Sequence, residues 1–131
     1  MKNFTRFGVV LVTLISLFLL MDFAYAGYPM ISGITDQEIL VNTSTPAIPF
    51  YLYDDVTNPS NLVLSYTSNN KDLVPEDDDN IIFGGSGSTR TVRVIPAPNK
   101  TGLAIITVIV ADSNGDTNQD DFSVEVSRPP Q

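Results

Sequence analysis

Two acidic stretches carry the side chains best suited to chemistry. Asp54-Asp55 and the segment Asp112-Ser113-Asn114-Gly115-Asp116 offer carboxylate and amide oxygens. Calcium takes such hard ligands, about six to eight per ion. Asp54, Asp55, Asp112, Asn114 and Asp116 are therefore the candidate calcium ligands. The second stretch is not an EF-hand loop, because its glycine falls at the fourth position instead of the sixth and no glutamate follows at the twelfth. A bland alternative is a turn capped by its own polar side chains. The run Gly84-Gly85-Ser86-Gly87-Ser88-Thr89-Arg90 raises the question of a phosphate-cradling loop. That loop needs a lysine after its last glycine and a helix beyond it. Here Ser88 and Thr89 follow Gly87, and the next residues alternate as a strand, so residues 84–89 are predicted to reverse a β-hairpin, with Arg90 a solvated charge. Tyr28, Tyr51 and Tyr53 are candidates for stacking on a sugar ring, though tyrosine is common on the outer face of a sheet without any ligand.

Several chemistries are excluded outright. The chain has no cysteine and no histidine. Thiolate and imidazole zinc sites, a thiol nucleophile and a Ser-His-Asp triad are all impossible without them. A carboxylate pair for glycoside hydrolysis would need a cleft that loops this short seldom build. No catalytic residue and no enzymatic activity are expected. Glu76-Asp77-Asp78-Asp79 is read as a solvated acidic loop.

The residues that surround these candidates define the setting. Lys2 and Arg6 precede an apolar run from Phe7 to Met21, Asp22 ends it, and Ala24-Tyr25-Ala26 places small residues where signal peptidase cuts. Residues 1–26 are thus expected to be a signal peptide, and the product to be secreted or periplasmic with no stable membrane insertion after cleavage. The run is too short for a spanning helix, which needs about 20 apolar residues. The remainder is the size of one domain. The net charge is −8 over the whole chain and more negative without the basic leader, so a nucleic-acid partner is not expected.

After Gly27 the apolar residues alternate in short segments bounded by turn residues, and no helical spacing is sustained. Residues 29–34 and 38–41 read as a split first strand. Ile48, Phe50 and Leu52 share a face; so do Leu62, Leu64 and Tyr66. Residues 80–83 and 91–95 follow as strands. Residues 103–111 are apolar on both faces and read as a central strand, paired with 121–126, in which Phe122, Val124 and Val126 point inward. Asn114-Gly115 is expected to supply the positive φ angles of the hairpin between them. Seven or eight short antiparallel strands with turn signals this regular predict an all-β, immunoglobulin-like Greek-key β-sandwich over residues 27–127, with 128–131 a proline-rich linker-like tail. Asn42-Thr43-Ser44 and Asn99-Lys100-Thr101 match the glycosylation sequon.

The order of motifs is more specific than any one of them. "PMISGITDQEI", "SNNKDLVP", "NIIFGGSGSTRTVRVIPAPNKTG" and "VIVADSNGD" follow one another over nearly the whole chain after residue 26. In that order they resemble the Ig-like and cadherin-like tandem repeats of large bacterial surface and adhesion proteins, here in a single copy. The resemblance implies a non-enzymatic structural or adhesive module with a protein or cell-surface partner. It also implies that the Asp54-Asp55 loop and the Asp112–Asp116 loop share one pole beside the N-terminus, where cadherin-like repeats commonly hold calcium at domain junctions. A small ligand-binding module for calcium or carbohydrate is the alternative reading.

Overall fold

The computed structural model describes residues 27–131. The expected signal peptide, 1–26, lies outside the described residues. Eight strands form: β1 (Met30–Ile31), β2 (Gln37–Leu40), β3 (Ile48–Tyr53), β4 (Val63–Ser68), β5 (Ile81–Ser86), β6 (Thr89–Val94), β7 (Gly102–Ala111) and β8 (Thr117–Ser127). They build two four-stranded sheets in the orders β1-β3-β6-β5 and β2-β8-β7-β4. The only helical element among the described residues is a short 3-10 turn, Pro59–Asn61. No helix among the described residues is long and apolar enough to cross a membrane.

Alternation decides which side chains meet between the sheets. Ile48, Phe50 and Leu52 of β3, Val92 and Val94 of β6, alternate residues Ala104 to Val110 of β7, and Phe122, Val124 and Val126 of β8 are all buried. With one face covered, a shift of one residue would turn each of these rows to water, so the pattern also sets the register. Phe50 and Phe83 meet edge to face, with ring centroids 6.4 Å apart. Such pairs gain about 1 kcal/mol beyond their area, part of the packing that a chain without disulfides must rely on. β7 lies between β8 and β4, the central place its two apolar faces predict.

The first strand is split between the sheets, as expected, and the split has a visible cause. β1 pairs antiparallel with β3. After Gly33 the chain crosses over, and β2 runs parallel to β8 with Gln37 opposite Val124. Two β8 contacts fasten the crossing: the Ile34 N–H donates to Asp120 Oδ2 at 2.5 Å, and the Ser123 N–H donates to Asp36 Oδ1 at 2.8 Å. This parallel pair is the exception in an otherwise antiparallel sandwich. It places β2 beside the last strand, β8, in one sheet.

Two turns differ in detail from expectation. Gly84, Gly85 and Ser86 do not reverse the chain but pair with Thr91, Arg90 and Thr89 as the end of β5. The reversal is left to Gly87-Ser88, with φ +64° at Gly87, the positive angle that a two-residue hairpin of the II′ kind requires first. In the loop between β7 and β8 only Gly115 has positive φ, at +87°. Its N–H donates to the Asp112 carbonyl at 3.2 Å and the Asp112 N–H to the Asp116 carbonyl at 3.0 Å. The loop is thus a longer turn closed by one left-handed glycine, since Asn114 stays in the ordinary region.

Candidate functional site

Asp54 directly follows β3 and Asp112 directly follows β7, and both are about 7% exposed. Each caps its own loop. Asp54 Oδ2 accepts the Thr57 N–H at 2.6 Å. Asp112 Oδ1 accepts the N–H groups of Asn114 and Asp116 at 2.8 and 2.9 Å. The loops are joined through Thr57 Oγ1, which lies 2.9 Å from Ser113 Oγ and accepts the Ser113 N–H at 3.2 Å. Exposed Asp55 accepts the Gly27 N–H at 3.2 Å, which draws the start of the domain to the same pole. Asn114 is exposed and Asp116 half-buried in the β7–β8 loop.

Both buried aspartates keep one idle oxygen. Asp54 Oδ1 and Asp112 Oδ2 are enclosed and have no hydrogen-bond partner. An unpaired buried acceptor costs about 1–3 kcal/mol, more for a charged group. Among the described residues, however, no three acidic side chains gather closely enough to hold a metal ion.

The acidic run lies at the other pole, past the end of β4, and is less idle than its charge suggests. Glu76 Oε1 accepts the Ser68 N–H at 2.7 Å while Oε2 pairs with Lys71 at 3.0 Å. The Ser68 amide first, then Lys71, holds the Glu76 carboxyl below its ordinary range. Asp77 Oδ1 accepts the N–H groups of Asp79 and Asn80. Asp78 accepts the Tyr66 hydroxyl at 2.6 Å, and that bond chiefly pushes the Tyr66 phenol up to about 12. Three of the four carboxylates in this run, those of Glu76, Asp77 and Asp78, thus cap backbone or hydroxyl donors.

Arg90 is likewise not the solvated charge that its place in the sequence implied. It is half-buried and donates to three carbonyls: Gly87 at 2.8 Å, Pro59 at 2.9 Å and Leu62 at 3.4 Å. It ties the β5–β6 hairpin to the segment just before β4. The two sequon asparagines, 57 residues apart, bond to each other: Asn42 Nδ2 donates to Asn99 Oδ1 at 3.1 Å, and the Asn99 N–H donates to Asn42 Oδ1 at 2.7 Å. Both have φ near +64°. They are paired turn residues.

The tyrosines share a surface. Tyr51 and Tyr53 alternate with buried Phe50 and Leu52 and stand about 60% exposed, as do Tyr28 and Met30. Met30 lies opposite Tyr53 across the β1–β3 ladder, and Met30, Ile31, Ser32, Tyr51, Leu52 and Tyr53 line an open apolar hollow of about 270 Å³. Met30 belongs to this patch although residue type alone did not single it out; its register with Tyr53 does.

Sheet orders, the divided first strand and the hairpin between the last two strands can be compared with solved structures. The titin M3 domain superposes with a TM-score of 0.55 at 14% identity, covering 76% of this chain and 97% of that one. The N-terminal Ig1-2 module of the Drosophila receptor protein tyrosine phosphatase DLAR gives 0.59 at 13% identity, covering 80% of this chain and 52% of that one. Dpr1 IG1, solved bound to DIP-eta IG1, gives 0.51 at 12% identity, covering 78% and 97%. The fold is immunoglobulin-like. No protein-family model and no curated protein sequence matches the chain. The immunoglobulin-like sandwich here lacks the cysteine pair and tryptophan of antibody domains. Phe50, Leu52, Ile106, Val108 and Phe122 fill its centre instead. The chain spans about half of the two-domain DLAR module, one sandwich against two.

Proposed function

We propose that this chain is an exported, non-enzymatic immunoglobulin-like module with a structural or adhesive role outside the cell, akin to single repeats of bacterial surface arrays, and that it meets a protein partner through the tyrosine face. The observation that carries this reading is the patch of Tyr28, Met30, Tyr51 and Tyr53 on the β1–β3 side of the sandwich, exposed where a monomer has no use for it. Tyrosine offers a large, rigid contact area at low entropic cost, and contiguous exposed apolar surface marks interaction sites. Dpr1 IG1, whose structure was solved in complex with another immunoglobulin-like domain, supports a protein partner over a small molecule for this fold. The hollow is also open and shallow, a poor enclosure for a sugar.

The test is binding of labelled residues 27–131, which hold the whole sandwich, to cell surfaces and extracellular matrix. Binding should be lost after protease treatment of the surface, persist after glycosidase treatment, and fall at least tenfold in the double variant Tyr51→Ser, Tyr53→Ser with its unfolding midpoint kept. Equal binding by that variant overturns the choice of face; loss on glycosidase treatment alone favours carbohydrate.

A second reading rests on the idle oxygens of Asp54 and Asp112. A calcium ion drawn to that pole would satisfy both. A ligand that binds only the folded state raises stability by RT ln(1 + [L]/Kd), so the unfolding midpoint should rise by several degrees between chelator and millimolar calcium at fixed ionic strength. No shift removes this reading.

A further inference from the structure

Gly27, at the start of the sandwich, is already seated on the fold. Its nitrogen lies 3.2 Å from Asp55 Oδ1 and donates its hydrogen there, across 28 residues of sequence. Gly27 is half-buried, and its φ of +109° is open to glycine and strained for other residues. Two residues on, buried Pro29 is pinned as well: its carbonyl accepts Asn118 Nδ2 at 3.1 Å, and β1 begins at Met30. Between these two anchors stands exposed Tyr28, a member of the tyrosine face that precedes any strand.

The chemistry of that nitrogen changes if the chain is processed. Ala24-Tyr25-Ala26 marks the Ala26–Gly27 bond as the one that signal peptidase cuts. Water adds its oxygen to the Ala26 carbonyl carbon, the C–N bond breaks, and the products are an Ala26 carboxylate and a Gly27 amine that takes up the released proton. An α-amine titrates at about 7.7–8.0, so at neutral pH it is an ammonium. Its nitrogen already lies within ion-pair reach of a carboxylate oxygen.

We propose that the processed N-terminus supplies a cation to this acidic pole: the Gly27 ammonium pairs with Asp55, and the pair fixes Tyr28 in the face through which the module meets its partner. This rests on the reading of the chain as exported and of the tyrosine face as its docking surface. The surrounding charges agree. Residues 27–70 and 101–127 contain no lysine or arginine, and they supply the start of the domain, the Asp54–Thr57 loop and the loop between β7 and β8. The β5–β6 hairpin contributes Arg90, whose guanidinium is taken up by the Gly87, Pro59 and Leu62 carbonyls. Among the carboxylates of the pole, Asp54 and Asp112 are buried and cap their own loops, and Asp116 is half-buried. Asp55 is exposed, and its carboxylate has no other hydrogen bond among the described residues.

A peptide amide at Gly27 offers Asp55 one neutral donor; an ammonium offers three donors and a full charge, and a hydrogen bond between ionised groups is the stronger kind. Because water and salt screen an exposed pair, its worth lies in fixing position more than in stability. The sign of its pH dependence follows. A carboxylate this close favours the protonated amine and raises its pKa. The contribution is therefore complete below the unfolded value of about 8 and is lost as pH rises through the folded one.

The experiment starts with the full chain expressed in an exporting bacterium and the intact mass of the product, which should begin at Gly27. A product exported with a different first residue overturns the inference and leaves export standing; a product that keeps residues 1–26 overturns both. Nuclear magnetic resonance then compares residues 27–131 bearing a free amine with the same chain acetylated at Gly27 and with Asp55→Asn. The Gly27 amine, followed through its Cα protons, should titrate at least about half a pH unit above the ordinary range of about 7.7–8.0, and Asp55→Asn should return it to that range. An ordinary value in the wild type, or one that Asp55→Asn leaves raised, overturns the ion pair. At pH 6 the backbone order parameter of Tyr28 should be highest with the free amine and lower in both altered chains. If the acetylated chain holds Tyr28 as firmly, the amide alone anchors it and the role of processing is refuted. These readouts need no partner, so failure of the tyrosine face to bind any protein would refute the docking reading and leave the ion pair standing.

Discussion

Replacing Asp112 separates the work of its two oxygens. Asp112→Ala removes the acceptor of the Asn114 and Asp116 N–H groups. A hydrogen bond to a charged group contributes about 1.5–3 kcal/mol, and the lower end applies because the freed amides lie in a loop that water can reach. Two such bonds come to about 3 kcal/mol, and relief of the burdened Oδ2, buried without a partner, returns roughly 1 kcal/mol. The net loss is about 2 kcal/mol. For a domain of this size it lowers the midpoint by on the order of 10 °C. Asp112→Asn keeps an oxygen for both amides and removes the buried charge. Its loss should stay within about 1 kcal/mol, clearly smaller than that of the alanine variant. Thermal unfolding followed by circular dichroism, in chelator, measures both. If Asp112→Asn is as damaging as Asp112→Ala, the charge itself has a partner and the idle-oxygen reasoning fails. If Asp112→Ala costs nothing, the carboxylate does not hold the turn. Repeating the pair in calcium adds a further check, because a bound cation would depend on the charge that the asparagine lacks.

Tyr66 should resist ionisation until about pH 12, and Asp78→Asn should bring its phenol back toward 10, read by ultraviolet titration of the phenolates. Because the folded value is raised, the corresponding stability is intact below pH 10 and disappears as pH climbs toward 12. Glu76 has the opposite sign: its folded value is lowered, so its contribution is present above the unfolded value of 4.5 and is lost as pH falls through the folded value. Glu76→Gln should flatten that part of the acid limb in a plot of midpoint against pH; an unchanged limb would assign the acid sensitivity to other carboxylates. Gly85→Ala should destabilise the domain by about 2 kcal/mol or more, since positive φ alone costs roughly 1–2 kcal/mol and the new Cβ would fall 2.5 Å from the Thr89 carbonyl oxygen. Urea denaturation tests it, and a loss below about 0.5 kcal/mol would mean that the β5 end relaxes freely.

Most of the fold was legible because one physical rule governs it. A strand covered on one face must alternate, and Ile48-Pro49-Phe50-Tyr51-Leu52 and Phe122-Ser123-Val124-Glu125-Val126 do so without ambiguity. Residues 103–111 announced a central strand by being apolar on both faces, and β7 is central. The splitting of the first strand was readable as well, in the gap between residues 29–34 and 38–41, although β1 itself ends earlier, at Ile31. What alternation does not encode is direction. That β2 runs parallel to β8 depends on the Asp36 and Asp120 carboxylates meeting amides 87 and 86 residues away.

The polar sites divide in the same way. Residue types alone identified the aspartates, and the order of strands brought Asp54 and Asp112 to one pole, where Thr57 and Ser113 join their loops. Which oxygens are occupied and which are idle depends on loop geometry to within an ångström, and no local pattern carries that. Charged residues were the least readable. Arg90 looked like a surface charge and is bonded to three carbonyls from two loops; Asp77, Asp78 and Glu76 looked like a solvated run and each caps a different donor. Apolar burial follows a periodicity written along the chain. A charged side chain finds its partner only after the sheets have closed, so the sequence determined the sandwich and the identity of its acidic and aromatic residues, while tertiary structure alone decided which were spent on the fold and which remain free to meet something else.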